Sequence, residues 1–167
     1  MSMNVKFHTG TESDIYRDAV MLRKQIFVEE QGIELHREMD DLDGESVHFV
    51  AYVAGVPVGT ARIYSVEGVG AGDSASVSTG DGAESDSAAK LGRVAVAKAF
   101  RHQGIALAMC RFCVEYAREQ GFSQVYVNAQ TYISSLYAAL GFSVCGEEFL
   151  EEGIPHLKMA LSLCGAG

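Results

Sequence analysis

The chain has 167 residues, 48% of them hydrophobic, and carries 22 acidic against 13 basic side chains for a formal net charge of −9. That is enough apolar material for one ordinary globular domain with a core. So acidic a composition argues against nucleic acid or an anionic membrane as a default partner, while it suits either a cationic substrate such as an amine or plain solubility.

In chain order, Asn4 to His8 reads as a short strand with Val5 and Phe7 on one side. Thr11 with Asp14 three residues later is a hydroxyl–carboxylate helix start. Ile15, Ala19, Leu22 and Ile26 then recur at helical spacing, which predicts an amphipathic helix from Asp14 to about Glu30, stopped at Gln31-Gly32. A weaker helical or irregular segment covers Glu34 to Met39, and Asp40 to Gly44 is a charged turn. Val47 to Val53 alternates as a strand, Gly55-Val56-Pro57 reads as a hairpin turn, and Val58 to Val66 returns as the partner.

Residues 67–89 are nearly all Gly, Ser, Ala, Asp and Glu with no aromatic residue, a composition expected to form a flexible surface insertion in a single domain of residues 1–167. Lys90 to Ala97 is apolar on both faces, as a buried central strand should be. Gly104 to Gln120 is the most periodic helix, with Ile105, Met109, Phe112 and Tyr116 in one stripe and Gly121 as its stop. A strand at Ser123–Ala129, a short helix at Thr131–Leu140, a strand at Phe142–Phe149 and a last strand at Ile154–Leu163 complete the chain. The strand–helix–strand unit in the middle implies a right-handed crossover and two parallel neighbours, and the flanking hairpins imply antiparallel edges. The expected class is therefore α/β (α+β), a mixed sheet with helices on both faces.

Four cysteines (Cys110, Cys113, Cys145, Cys164) show no disulfide-framework spacing, and there is no signal peptide or long apolar run, so reduced thiols in a cytoplasmic protein are expected. Cys110-x-x-Cys113 falls in mid-helix without a second pair, which makes small core residues the reading and not a metal or redox site.

The chemistry centres on Leu91-Gly92-Arg93-Val94-Ala95-Val96 followed by Arg101-His102-Gln103-Gly104-Ile105-Ala106. A buried strand ends, a polar turn follows and a glycine opens the helix. Backbone N–H groups are left unpaired there at the positive end of the helix dipole, a setting suited to a pyrophosphate. A side chain at Gly104 would block close approach of phosphates. The spacing is neither a Walker loop nor a dinucleotide fingerprint. By itself it is equally a glycine used for a tight turn.

Taken together these residues resemble the GNAT superfamily of acyl-CoA-dependent N-acyltransferases. Arg101-x-x-Gly104-x-Ala106 is similar to that family's pyrophosphate loop, and Tyr137-x-x-Leu140-Gly141-Phe142 to its later motif. The stretches Leu22-Arg23-x-x-Ile26-Phe27-Val28-Glu29-Glu30-Gln31-Gly32, Asp40-x-x-Asp43 and Glu151 to His156 resemble the ElaA-like branch. Three positions depart from the common pattern. His102 and Ala106 stand at the loop's flexible positions, and Gln130 stands where many members carry an asparagine that contacts the pantetheine arm.

The resemblance implies acetyl-CoA as cosubstrate, no metal, and transfer to a primary amine, of a small molecule or a protein, by direct attack in a ternary complex. It implies that Val94, Ala95 and Val96 offer backbone groups to the pantetheine and thioester. Arg101, His102, Gln103, Gly104, Ile105 and Ala106 would hold the pyrophosphate, Gln130 would line the arm, and Tyr137 would lie near the sulfur as general acid. An amine attacks only as the free base, so one with a pKa near ~10 must lose a proton. Glu30, a candidate catalytic residue at a helix end, could take that proton directly or through water, with His156 and His48 as the other options for the base. Arg93, His48 and His156 are acceptor-site candidates, and Arg93 is expected to pair with Glu30 or with a substrate carboxylate. Dimers are common among such proteins, which leaves a homodimer open. Two competing functions are a non-catalytic acyl-CoA-binding or regulatory module and an acyl-homoserine-lactone synthase. The latter enzymes share the N-terminal type of stretch but lack the Arg-x-x-Gly-x-Gly/Ala loop.

Overall fold

The computed structural model describes residues 2–66 and 87–163. Most of the expected insertion lies outside them, although its final residues do not belong to it: Ala88 and Ala89 already pair as strand. The described strands are β1 (Met3–Thr9), β2 (Val47–Val53), β3 (Val56–Ser65), β4 (Ala88–Val96), β5 (Gln124–Gln130), β6 (Ser143–Val144), β7 (Phe149–Glu151) and β8 (Ile154–Ser162). They follow the hydrogen-bonded order β1-β2-β3-β4-β5-β8-β6, with β7 also on β8. The chain divides into two compact units, one of residues 2–64 and 92–113, the other of 65–66, 87–91 and 114–163.

In the first unit β1 (Met3–Thr9) and β2 (Val47–Val53) are antiparallel, and β2 pairs antiparallel with β3 (Val56–Ser65). The β2–β3 turn is one residue earlier than Gly55-Val56-Pro57 suggests. Ala54 (φ 53°) and Gly55 (φ 80°) are its centre, with Val53 opposite Val56. Two consecutive left-handed residues match the twist of the strands they join, whereas a turn built on Pro57 does not. Phe49, Val50 and Ala51 are fully buried, so β2 is covered on both faces.

Helix α1 (Asp14–Arg23) packs Ala19 and Leu22 on Val50. Its cap is Ser13, whose hydroxyl accepts from Tyr16 N at 3.0 Å, rather than the expected Thr11. The helix continues to Glu30 as expected, but Lys24–Glu30 is π-helical, and Gln31 N donates back to Ile26 O. Over seven residues the apolar spacing does not separate 3.6 from a wider turn. Ile26 and Phe27 of this segment pack against Ala95. The irregular segment resolves into α2 (Leu35–Glu38) and a 3₁₀ turn at Asp41–Glu45.

Strand β4 (Ala88–Val96) and α3 (Ile105–Glu119) pass from one unit to the other. Within the first, Phe112 meets Phe49 and Phe7 at ring distances of 6.1 Å, while Met109, Cys110 and Cys113 are fully buried. The two thiols are thus core atoms, and burial pushes the Cys110 pKa up to about 12.

In the second unit, Ala88–Leu91 of β4 pair parallel with Gln124–Val127 of β5 (Gln124–Gln130), the expected parallel neighbours. β5 is antiparallel to β8 (Ile154–Ser162) over its whole length. The predicted single strand Phe142–Phe149 is instead two short ones on β8, β6 (Ser143–Val144) and β7 (Phe149–Glu151). Gly146 at φ 159° lies between them, in Cys145-Gly146-Glu147-Glu148, a stretch too polar to continue a half-buried strand. The predicted helix at Thr131–Leu140 begins as a 3₁₀ turn and becomes α4 at Ser134–Ala139.

Candidate functional site

The β4 tail in the first unit is bent. Arg93 adopts φ 53°, a left-handed conformation that non-glycine residues visit rarely. Beyond it Ala95 is buried against Ile26 and Phe27, and Ala97 N donates to Val58 O at 2.8 Å. β3 comes close because Gly59 lacks a side chain. A Cβ there would lie 3.4 Å from both Ala95 O and Met109 Sδ.

After the 3₁₀ turn Lys98–Phe100 comes the loop. Arg101 Nε donates to Val96 O at 2.8 Å, which closes the loop onto the strand end. His102 (φ 65°) and Gly104 (φ 82°) are both left-handed, and Ala108 N donates to Gly104 O as the first helical bond. The N–H groups of Ile105, Ala106 and Leu107 therefore point out of the helix end with no carbonyl one turn earlier to meet. His102, Gln103 and Gly104 are exposed, and a Cβ on Gly104 would meet no atom within 4 Å. The glycine is thus required by its φ and not by packing, and the space in front of it is open. An anionic group fits there: donors, dipole and clearance converge on one place.

Glu30 is held at this loop. Its two carboxylate oxygens accept from Arg101 Nη1 at 2.7 Å and Nη2 at 2.8 Å, both side chains being about one-third exposed. The Arg101 hydrogen bonds keep the Glu30 carboxyl below its usual range, against a small opposing effect of burial. Arg93 therefore does not pair with Glu30, which corrects one of the two partners expected of it from sequence. It donates from Nε to Glu38 Oε2 (3.0 Å) and from Nη2 to Glu38 O (2.9 Å) and Asp40 Oδ2 (3.2 Å).

These last contacts belong to a buried ion cluster that sequence reasoning did not find. Arg23 donates to Glu38 Oε2 at 2.6 Å and to Asp43 Oδ1 at 3.0 Å. Arg62 donates to Asp43 Oδ1 at 2.8 Å and to both oxygens of Asp40 at 2.8 and 2.9 Å. Tyr16 donates to Asp43 Oδ2 at 2.8 Å. Arg23, Glu38, Asp43 and Arg62 are each no more than 3% exposed. His48 lies inside this cluster, 1% exposed, with Nε2 donating to Asp43 O at 3.0 Å and its ring edge-on to Tyr16. It is packed away from any surface an acceptor could reach. Burial holds it below the ordinary histidine pKa. The available signal was Asp40-x-x-Asp43 together with arginines in otherwise apolar strands and helices, since such arginines must find carboxylates.

In the second unit Tyr137 is buried on α4, edge-on to Phe142 at 5.7 Å. Phe142 N and Leu140 N both donate to Tyr137 O at 3.0 Å, so Leu140-Gly141-Phe142 folds the chain back over the tyrosine. Gly141 makes the reversal with φ 101°. Gln130 ends β5 directly opposite His156 in the β5–β8 register. His156 is buried, stacked on Phe149 at 5.8 Å, and its Nδ1 lies 2.7 Å from Ile154 O.

Comparison with known proteins adds an independent line. A family model described as an acetyltransferase (GNAT) domain matches residues 16–163. A Bacillus subtilis protein named as an acetyltransferase is 34% identical over 160 residues, covering 94% of this chain and 95% of that protein. Two solved structures share the fold. An N-acetyltransferase structure from Lactobacillus plantarum has a TM-score of 0.77 at 23% identity, covering 98% and 99% of the two chains. Escherichia coli ElaA has a TM-score of 0.71 at 24% identity, covering 95% and 99%.

Proposed function

The chain belongs to the GNAT acetyltransferase family and is an acyltransferase with a CoA-derived cosubstrate, and from that premise we propose that it moves an acetyl group from acetyl-CoA to a primary amine by direct transfer in a ternary complex. The observation that carries this reading is the loop 101–106, where left-handed His102 and Gly104 open the first turn of α3 toward free space. Backbone N–H groups at a helix N-terminus bind a pyrophosphate without any excess of positive charge. That matters in a chain of net charge −9.

In this proposal backbone groups of Val94 to Val96 hold the pantetheine as a substitute strand, and an N–H at Val94 or Ala95 donates to the thioester oxygen as it gains charge. Gln130 lines the same arm. Tyr137 donates a proton to the departing thiolate sulfur. Glu30 takes the amine proton through water, its carboxylate kept ionised by Arg101. The acidic composition favours a cationic acceptor, of which the free-base fraction reacts.

The test is a thermal-shift titration with acetyl-CoA followed by thiol release against a panel of amines. Saturating acetyl-CoA at 100 times its Kd stabilises the fold by about 2.7 kcal/mol, and CoA thiol appears only when an acceptor is present. Absence of any acyl-CoA binding overturns the proposal. Binding without release across a broad panel assigns the chain to acyl-CoA binding alone.

A further inference from the structure

The ion cluster of the first unit is charge-balanced, with Arg23, Arg62 and Arg93 against Glu38, Asp40 and Asp43. Asp40 Oδ1 accepts from Arg62 and from Leu42 N, and its Oδ2 from Arg62 and Arg93. A carboxylate so engaged has little left for a substrate ammonium, so the cluster is not an acceptor pocket. Its members instead come from α1, α2, the 3₁₀ turn, β3 and β4, and the one on β4 is the residue with φ 53°.

A left-handed arginine in a strand is costly, and such a conformation persists only where its surroundings over-determine it. Here they do. Three hydrogen bonds tie the Arg93 guanidinium to Glu38 and Asp40, and Glu38 is in turn held by Arg23, which is 1% exposed. The bend at residue 93 immediately precedes Val94–Val96.

We infer that Arg93 is a positioning residue: pinned by Glu38 and Asp40, it holds the left-handed bend of β4 and so sets the line of the Val94–Val96 backbone. The inference rests on the acyl-CoA reading for its functional consequence, but the backbone placement is measurable without it. The cluster converts buried charge into a fixed strand direction, and a bend displaced by about 1 Å is enough to cost about a hundredfold where several backbone contacts must be met together.

The experiment compares wild type with Arg93→Ala by amide hydrogen exchange over 92–97 and by separate KM values for acetyl-CoA and for the amine. The expected result is faster exchange at Val94–Val96, with KM for acetyl-CoA raised and kcat/KM for acetyl-CoA lowered roughly tenfold or more, kcat falling as well because a Val94 or Ala95 N–H also faces the thioester oxygen. Unchanged exchange and unchanged acetyl-CoA KM overturn the inference, and a rise confined to the amine KM does so too, by making Arg93 an acceptor contact. If Arg93→Ala does not fold, Arg93→Lys, which keeps the charge beside Glu38 but loses the fork, is put through the same comparison. Wild type that binds no acyl-CoA sinks the proposed function, and the exchange measurement still decides the placement.

Discussion

Tyr137, Glu30 and Gly104 each make a separable claim. Tyr137→Phe keeps the ring against Phe142 and removes only the hydroxyl, so kcat is expected to fall about a hundredfold with the fold intact. Undiminished turnover with an unchanged pH profile removes the tyrosine from acid catalysis. Glu30→Gln is expected to lower kcat and leave the acetyl-CoA KM close to wild type. Because Arg101 holds the Glu30 carboxyl below its usual range, titration of this group adds no limb to the rate profile near neutrality. A Glu30→Gln enzyme with wild-type kcat leaves Glu30 only the role of bracing Arg101. Gly104→Ala meets no atom within 4 Å, so its stability cost is the strain of φ 82°, about 1–2 kcal/mol. Its weakened acetyl-CoA binding, read by titration, reports the methyl group in the phosphate space.

The hairpin shows what a single element asks of its residues. Ala54 at φ 53° is an unfavourable choice for the first position of a turn with two left-handed residues, where asparagine is preferred before glycine. Ala54→Asn is therefore expected to stabilise the protein by part of the ~1–2 kcal/mol that a left-handed non-glycine residue costs, seen as a higher urea midpoint with an unchanged slope. The helix from Asp14 to Glu30 was legible as a length and a buried face, because Ile15, Ala19, Leu22 and Ile26 share one stripe. Its π-helical second half was not, since one extra residue per turn alters the direction of Glu30 without altering which residues are apolar. Likewise Phe142–Phe149 carried a strand-like start, and the polar break around Gly146 became decisive only when β8 offered partners to both pieces.

For the molecule as a whole, the ion cluster sets the acid limit. Burial pushes the Asp40 carboxyl up, but the Arg62 hydrogen bonds, the Arg62 and Arg93 charges and Leu42 N–H outweigh it and bring it down to about 2. Asp43 is lowered as well, burial being outweighed by Arg23, Tyr16 and Arg62. A carboxyl whose folded pKa lies below its unfolded value of about 3.9 stabilises the fold above that pH, and the stabilisation is lost as pH falls through the folded value. For Asp40 this is roughly 2 kcal/mol. His48 acts earlier. Burial lowers its pKa, so its protonation in the unfolded chain begins to erode stability below about pH 6.5. Urea midpoints are thus expected to be flat from about pH 7 to 8, to fall gently through pH 6 to 5, and to fall steeply from pH 4 to 2. They are also expected to fall at higher pH, as Cys110 and Cys113, kept protonated by burial in the fold, ionise in the unfolded chain above about pH 8.5. Asp40→Asn is expected to lower the midpoint at pH 7 and to flatten the steep limb, and an unchanged limb in that variant would show that Asp40 is not responsible.

Local spacing alone determined the strand–glycine–helix junction at Leu91–Ala106, the parallel β4–β5 neighbours and the order of most elements. Each of these follows from apolar periodicity and from backbone rules that act over a few residues. Arg101, Gly104 and Tyr137 stood out through short motifs that resemble those of the family, and their roles are the proposed ones. Tertiary structure decided the partners. It gave Glu30 to Arg101, gave Arg93 to Glu38 and Asp40, and enclosed His48 beside Asp43. Charged side chains reach partners far apart in sequence, 55 residues in the case of Arg93 and Glu38. Which carboxylate a buried arginine finds depends on the packing of helices and strands around it, information that no local pattern contains.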